Sequence, residues 1–225
     1  RKTWRLKLNA KPKSSRTTAK VLRVDPRAPQ PETISRAAAA MRGGGVVCFP
    51  TRCLYGLGAD AFDAAAVERV FDIKQRPAEL PLLVLINSPA QMDGLARSIP
   101  RVAHLLMQRF WPGRLTLVLE AEASLPERLT AGTGKIGIRL AAHNVARALV
   151  EAVGKPITGT SANLSGRTGC RQIPELDPQI RRQVDLILDG GPLKGGVGST
   201  VVDVTGAAPV VIREGEVSRH EIIAV

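Results

Sequence analysis

Four segments of the sequence place polar or charged side chains and glycines directly beside apolar runs. Loops that are held by a rigid sheet are where binding and catalytic sites are usually built. The glycines in these segments also let the backbone approach a ligand closely. The segments are 50–58 (PTRCLYGLG), 74–77 (KQRP), 160–166 (TSANLSG) and 195–200 (GGVGST).

Lys74 and Arg76 lie where a predicted helix ends. A lysine is a compact point charge and an arginine is a planar fork, and the two together suit a carboxylate or a phosphate. A structural explanation is also open, because cations in the last turn of a helix stabilise its dipole by about 0.3–1 kcal/mol. The pair is therefore a candidate anion site.

The segments 160–166 and 195–200 combine hydroxyls, an amide and glycines. Such groups hydrogen-bond to phosphate oxygens when a turn gathers them into a concave surface. The same residues also form ordinary capped turns, and a glycine-rich loop often does no more than reverse the chain. Either segment taken alone is weak support for a ligand site.

Several well-known catalytic patterns are absent from the 225 residues. The sequence contains no GxxxxGK[ST] and no GxGxxG that opens a helix after a strand. It contains no GxSxG elbow, and its three histidines are far apart. The three cysteines form no CxxC and predict no zinc site. An enzyme built from these residues is expected to work by positioning and electrostatics, without a protein nucleophile.

The positive charge is concentrated in the first 27 residues. The chain has a net charge of +12. Ten basic residues and one acid give residues 1–27 a charge of +9, and 22 basic and 19 acidic residues leave +3 on the rest. We expect 1–27 to be a basic N-terminal arm, flexible in part, and 28–225 to be a single domain. The arm is a candidate contact for RNA; a flexible tail or a transit peptide explains it equally well.

Composition also bears on location. An odd number of widely spaced cysteines is typical of a reducing cytoplasm, and we expect the protein there. No apolar run reaches the length of a membrane span, so we expect no membrane partner.

Short apolar runs alternate with helical patterns through the body of the chain, which predicts one α/β domain with an open, twisted, mixed sheet and flanking helices. The run 82–86 is apolar throughout, as expected for a central strand that is covered on both faces. Predicted helices are 31–41, 63–75, 100–110 and 143–153. Predicted strands are 46–49, 82–86, 115–119, 136–140, 156–160, 186–188, 200–204 and 210–213.

Together the segments resemble the YrdC family, whose members share P-T-[DE]-T-x-Y-G-L-G, K-x-R-P followed by P-L, S-A-N-x-S-G, S-T-V and [IV]-R-x-G. The resemblance covers about residues 30–218. The matching stretches follow one another in the same order in this chain: PTRCLYGLGAD, IKQRPAELPLLVLI, WPGRLTLVL, IGIRLAAHNVARALV, TSANLSG, GSTVVDVTG and VIREGEVS.

The resemblance implies a YrdC-like sheet around a concave, positively charged groove. It also implies a nucleotidyltransferase that makes L-threonylcarbamoyl-AMP from L-threonine, bicarbonate and ATP, with Mg²⁺ held mostly by phosphates and water and with pyrophosphate released. Partner proteins of tRNA modification would then place the threonylcarbamoyl group on adenosine 37.

The resemblance also assigns roles to individual residues. Lys74 and Arg76 would be the catalytic cations. ATP would be bound by Lys74, Arg76, Ser161, Asn163 and Arg213. Threonine and bicarbonate would be bound by Thr51, Cys53, Tyr55, Arg139, Thr160 and Ser199.

The sequence departs from the family pattern at what the resemblance makes the threonine end. Cys53 stands where the family has threonine, and Arg52 stands where it has an acid. Leu85 occupies the place of a histidine that is common in the strand after K-x-R-P. Two alternatives therefore stay open: a paralogue that forms a different carbamoyl or acyl adenylate, and a non-catalytic protein that binds tRNA or double-stranded RNA.

Overall fold

The computed structural model describes residues 19–225. It contains ten strands and seven α-helices in that range. The strands are β1 Lys20–Arg23, β2 Val47–Pro50, β3 Tyr55–Gly58, β4 Leu83–Ile86, β5 Leu115–Glu120, β6 Lys135–Leu140, β7 Ile157–Ser161, β8 Leu186–Asp189, β9 Thr200–Asp203 and β10 Val210–Arg213. The helices are α1 Pro31–Arg42, α2 Ala64–Lys74, α3 Arg101–Phe110, α4 Glu127–Thr130, α5 Asn144–Val153, α6 Pro178–Gln183 and α7 Arg219–Ile223.

All ten described strands form one mixed sheet in the order β1-β8-β2-β3-β7-β4-β6-β5-β9-β10. Parallel and antiparallel neighbours alternate irregularly. For example, β4 is parallel to β6 and antiparallel to β7. This order places β2, which precedes residues 51–54, and β9, which begins at Thr200, in one sheet. About 150 residues separate the two strands in the sequence.

Local sequence signals set the two helices that lead into the site. The carboxylate of Asp63 accepts hydrogen bonds from the backbone N–H groups of Ala65 and Ala66 at the start of α2. Gln75 ends that helix in the left-handed conformation, with φ of 50°. His143 caps α5 by accepting from the N–H of Val145. These caps fix the positions of Lys74 and of the loop before α5.

Apolar side chains cover both faces of the sheet. One cluster includes Phe71, Leu106 and Ile138, and the other includes Met41 and Leu149, all of them buried. Strand β4 contributes alternate residues to the two clusters, as its unbroken apolar sequence predicts. Because both faces of β4 are covered, the strand has little freedom to move.

The predicted α/β fold with a mixed sheet is observed, and every predicted helix and strand is present with bounds that differ by at most two residues. The sequence analysis did not predict β3, which it treated as part of a loop, or the short helices α4, α6 and α7. Strand β1 falls inside the segment 1–27 and pairs with β8, so residues 20–23 form an edge of the sheet. The remainder of the predicted arm, residues 1–18, lies outside the described residues. Within the described range, no helix has both the length and the apolar character needed to cross a membrane.

Candidate active site

A cavity of about 570 Å³ opens on one face of the sheet. Its size is within the range of small-molecule sites in proteins. Nine of the eleven residues that the sequence analysis placed in a ligand site line this cavity. They are Thr51, Cys53, Tyr55, Arg76, Arg139, Thr160, Ser161, Ser199 and Arg213.

The floor of the cavity is built from alternate residues of adjacent strands, because successive side chains of a strand point to opposite faces. On β5 and β6 these residues include Thr116 and Arg139, and Ser199 lies just before β9. Arg139 Nη1 donates to Ser199 Oγ at 3.0 Å. Ser199 Oγ also lies 2.7 Å from Thr116 Oγ1, within hydrogen-bonding distance. Ser199 is buried, so this arrangement is held rigidly.

Positive charge predominates in the cavity. Lining residues of the described chain include five Lys or Arg side chains and one carboxylate, Asp203. Burial, together with the neighbouring guanidinium groups of Arg213 and Arg52, lowers the pKa of Arg139 to about 10. Arg139 remains charged at neutral pH, and an anion bound beside it would relieve the repulsion between these cations.

The two predicted site residues that do not line the cavity, Lys74 and Asn163, lie directly behind its wall. Lys74 is buried, and its Nζ donates to the carbonyl oxygens of Ser161 at 2.5 Å and Asn163 at 2.8 Å. The amide of Asn163 donates to the carbonyl oxygens of Leu164 and Arg167. In this structure both residues shape the loop 161–167 that carries Ser161 into the cavity.

Burial lowers the pKa of Lys74 to about 7, and the nearby charge of Arg76 adds to this effect. The Arg76 guanidinium itself donates to the carbonyl oxygens of Leu80 and Pro81, at 3.0 and 2.8 Å. These bonds hold the side chain in the turn after α2, where Arg76 lines the cavity.

Residues 51–55 enter the cavity through a tight turn between β2 and β3. Thr51 Oγ1 donates to the carbonyl of Leu54 at 2.6 Å, so its hydroxyl proton is used within the turn. Tyr55 is buried, and its hydroxyl donates to Gly191 O at 2.8 Å and accepts from the N–H of Gly190 at 3.0 Å. Cys53 carries the partly exposed thiol of this segment. Tyr55 therefore ties the turn to the end of β8, and Cys53 is the side chain best placed to contact a ligand.

The sequence analysis missed polar residues at the far end of the cavity floor. Lys135 Nζ lies 2.7 Å from Asp203 Oδ2, and both residues line the cavity. Lys135 is on the same face of β6 as Arg139, four residues along the strand. The period of two that leads from Arg139 through Gly137 to Lys135 could have identified Lys135, whereas nothing local identifies Asp203. His143, which caps α5, lines the cavity as well.

The lining offers no ready cage for a metal ion. The described residues contain no group of three or more His, Cys, Asp or Glu side chains able to hold one. The carboxylate of Asp203 already accepts hydrogen bonds from Lys135 and Thr205. A divalent cation at this site would therefore take most of its ligands from a bound nucleotide and from water.

The family model Sua5_yciO_yrdC, described as telomere recombination, matches residues 39–215. The chain belongs to this family. The match covers all four of the segments singled out in the sequence and all eleven predicted site residues. The resemblance to the YrdC family is thereby confirmed.

Relatives in the Sua5/YciO/YrdC family agree in sequence and in fold. The threonylcarbamoyl-AMP synthase of Pyrococcus abyssi is 41% identical over 186 residues, which are 83% of this chain and 55% of that protein. The chain thus spans about half the length of this relative. The crystal structure of P. abyssi Sua5 complexed with L-threonine superposes with a TM-score of 0.86 at 39% identity, covering 91% of this chain and 60% of the other. Escherichia coli YciO has a TM-score of 0.80 at 34% identity, covering 88% and 96%.

The geometry as a whole suits a reaction between anions. Cations approach the cavity from β6, from the turn after α2 and from the end of β10, through Arg139, Arg76 and Arg213. Hydroxyls of Thr160, Ser161 and Ser199 lie between them. Preorganised cations and donors of this kind stabilise charge that develops on phosphate oxygens without a protein nucleophile.

Proposed function

We propose that this chain catalyses formation of L-threonylcarbamoyl-AMP from L-threonine, bicarbonate and ATP, with release of pyrophosphate. The observation that carries the proposal is the Arg139–Ser199–Thr116 network at the floor of a cation-lined cavity. The comparisons with Pyrococcus abyssi support it: the relative there is named threonylcarbamoyl-AMP synthase, and Sua5 of the same organism has been crystallised with L-threonine.

The reaction proceeds in two stages. Bicarbonate takes up a proton and loses water to give carbon dioxide, and the amine of threonine adds to the carbon dioxide, loses a proton and becomes a carbamate. A carbamate oxygen then attacks the α-phosphorus of ATP in line, and pyrophosphate leaves. Both stages bring anions together, so their main demand on the protein is to hold the reactants in line and to stabilise charge.

The cavity provides groups for each anion. Arg139 and Ser199 hold the carboxylate of the amino acid at the floor of the sheet. Arg76 and Arg213 enter from opposite sides and stabilise the phosphate oxygens, and Ser161 hydrogen-bonds to the nucleotide. Lys74 acts through the loop 161–167, whose carbonyl groups it holds in place. A Mg²⁺ ion would be held mostly by the phosphates and water, and it would supply positive charge that neutralises the phosphates.

We further propose that the product passes to partner proteins that modify adenosine 37 of tRNA, and that the protein acts in the cytoplasm. An adenylate of a carbamate is labile, which favours direct use by an acceptor enzyme. The proposal for location rests on the cysteine usage, since all three thiols are free in the structure.

The test is pyrophosphate release from ATP and bicarbonate with each of the twenty amino acids, with mass spectrometry of the adenylate that forms. We expect release that depends on threonine and on bicarbonate together. Release without bicarbonate, or no release with any amino acid, would contradict the proposal. Arg139→Gln is the matched variant, because it removes the charge and leaves a shorter polar side chain at the floor of the cavity.

A second candidate is a related adenylate with another amino acid. It is favoured by Cys53 and Leu85, which stand where the family has threonine and histidine, and by the similarity to YciO over 96% of that chain. Both residues line the cavity. The same assay separates the candidates, since a different amino acid would then support the release.

A further inference from the structure

An ion pair between Arg52, which lines the cavity, and Glu216 lies beside the site. The guanidinium of Arg52 lies against the carboxylate of Glu216. Arg52 Nη1 donates to Glu216 Oε1 at 2.6 Å. The two side chains are only 34% and 29% exposed, so water and salt weaken the pair less than they weaken a surface pair.

The pair joins two segments that the sheet alone would hold far apart. Arg52 lies in the turn between β2 and β3, and Glu216 follows β10. In the sheet order, six steps separate β3 from β10, which in a flat sheet would be about 29 Å. The ion pair nevertheless joins the two segments, so the sheet is not flat between β3 and β10.

Backbone hydrogen bonds fix the segments on either side of this ion pair. The N–H of Glu216 donates to Gly198 O at 3.1 Å, beside Ser199. Arg114 Nε lies 3.7 Å from Glu216 Oε1 and adds a second cation. Near the other end, the carbonyl of Cys53 accepts from the N–H of Gly195 at 3.1 Å. The bridge therefore connects the segment that carries Cys53 with the segment that carries Arg213.

We propose that Arg52 and Glu216 are positioning residues, which fix the distance between these two segments and so the shape of the amino-acid end of the cavity. Neither residue needs to touch the substrate. Glu216 also neutralises Arg52, whose charge acts on Arg139. The kinetic part of this inference rests on the proposed function, whereas the structural part does not.

Cys53 offers a readout that needs no substrate. Of the three cysteines, Cys48 and Cys170 are buried and Cys53 is partly exposed. The rate at which a maleimide labels Cys53 therefore reports how accessible the conformation of the turn 51–54 leaves this thiol. We expect Arg52→Gln and Glu216→Gln each to raise this rate several-fold and Arg52→Lys to leave it near that of the wild type. Cys53→Ser identifies the labelled thiol.

The two substitutions should also be coupled. If the residues act as a unit, the double variant R52Q/E216Q labels no faster than either single variant, because each one already breaks the bridge. In the adenylation assay, each variant should raise KM for the amino acid by about tenfold and change KM for ATP little, since a displaced segment affects mainly the group it positions.

Glu68→Gln is the matched control. It breaks the Arg128–Glu68 ion pair, whose atoms are 3.0 Å apart and whose residues do not line the cavity. Wild-type labelling in Glu216→Gln, or effects of the two substitutions that multiply in the double variant, would overturn the inference. A wild-type protein that releases no pyrophosphate would overturn the proposed function alone, and the labelling cycle would still decide whether the pair positions the turn.

Discussion

Lys74 shows how a single residue type can be predicted correctly while its surroundings are not. The sequence indicated a cation at a helix end, and the structure places it there. The side chain, however, turns into the loop 161–167 and is buried, and this burial lowers its pKa to about 7. A spacing motif does not contain the long-range packing that causes such a shift.

The lowered pKa of Lys74 predicts a linkage between nucleotide binding and protons. At pH 8 the free protein holds Lys74 mostly neutral, because its pKa is about 7. A bound polyphosphate favours the charged form and raises the pKa, so Lys74 should take up part of a proton when ATP binds at pH 8 and none at pH 5.5, where the lysine is already charged. Titration calorimetry in buffers of different ionisation enthalpy measures this uptake.

Lys74→Arg is the control for this linkage, because an arginine stays charged at both pH values. The variant should bind ATP at pH 8 without proton uptake. Equal uptake in the variant and the wild type would assign the proton to another group and contradict the role of Lys74.

A substitution of Cys53 tests which amino acid the site selects. The Cys53 thiol lines the cavity in the same turn as Thr51. The family has a second threonine at the position of Cys53. If the thiol only replaces a hydroxyl, Cys53→Thr should preserve or sharpen the preference for threonine over serine and valine. The ratio of kcat/KM values for the three amino acids measures it, and a variant that loses threonine while it still binds ATP would contradict this assignment.

At the scale of elements, glycines set how closely the strands and loops of the site approach each other. A Cβ on Gly215 would lie 2.3 Å from Gly198 O and 2.6 Å from Ser199 C, both of them backbone atoms. Such a contact cannot be relieved by a side-chain rotation. The loop after β10 must therefore move if this position gains a side chain, and Arg213 would move with it.

Gly215→Ala should accordingly destabilise the fold by about 1–3 kcal/mol, the usual cost of overpacking, and weaken ATP binding. Gly206→Ala is the matched control, because its nearest neighbour would be 3.9 Å away. Urea denaturation and ATP titration of both variants check this. Equal stability of the two would show that the loop accommodates the methyl group without displacement.

Regular elements were predictable from the sequence because each carries a local signal. Asp63, Pro31 and Gly154 mark helix ends, and the unbroken run 82–86 marks the central strand. β3 was missed because its sequence, Tyr55–Gly58, contains two glycines and reads as a loop. A Cβ on Gly56 would lie too close to Thr160 O, and a Cβ on Gly58 too close to Thr158 O, for either to fit without adjustment. The close packing of the strands therefore overrides local propensity.

The site residues were predicted only in part, because some of them belong to local motifs and others do not. Nine of the residues identified from motifs line the cavity. Lys135 and Asp203 belong to no motif, and they meet because β6 and β9 both pair with β5. The Arg52–Glu216 pair was equally unpredictable, since 164 positions separate its members. Contacts of this kind depend on strand order, which local patterns do not encode.

At the scale of the whole molecule, much of the net positive charge lies in a part of the sequence that is separate from the candidate site. Residues 1–18 hold seven Lys or Arg and no Asp or Glu, so the rest of the chain carries +5 of the total +12. Every residue of the candidate site lies within 51–213. The basic N-terminal segment therefore predicts a property of its own, which is salt-dependent attraction to an anionic polymer.

Deleting residues 1–18 should leave pyrophosphate release unchanged and weaken the binding of a tRNA probe. Each phosphate contact that is lost should lower the slope of log K against log salt by about 0.7–0.9. Fluorescence anisotropy from 50 to 300 mM KCl measures the slope for both forms. The deletion must stop before Lys20, because a deletion of 1–27 also removes β1 from its pairing with β8 and confounds charge with stability. An unchanged slope would show that the segment does not contact RNA, and a loss of pyrophosphate release would show that it contributes to the site.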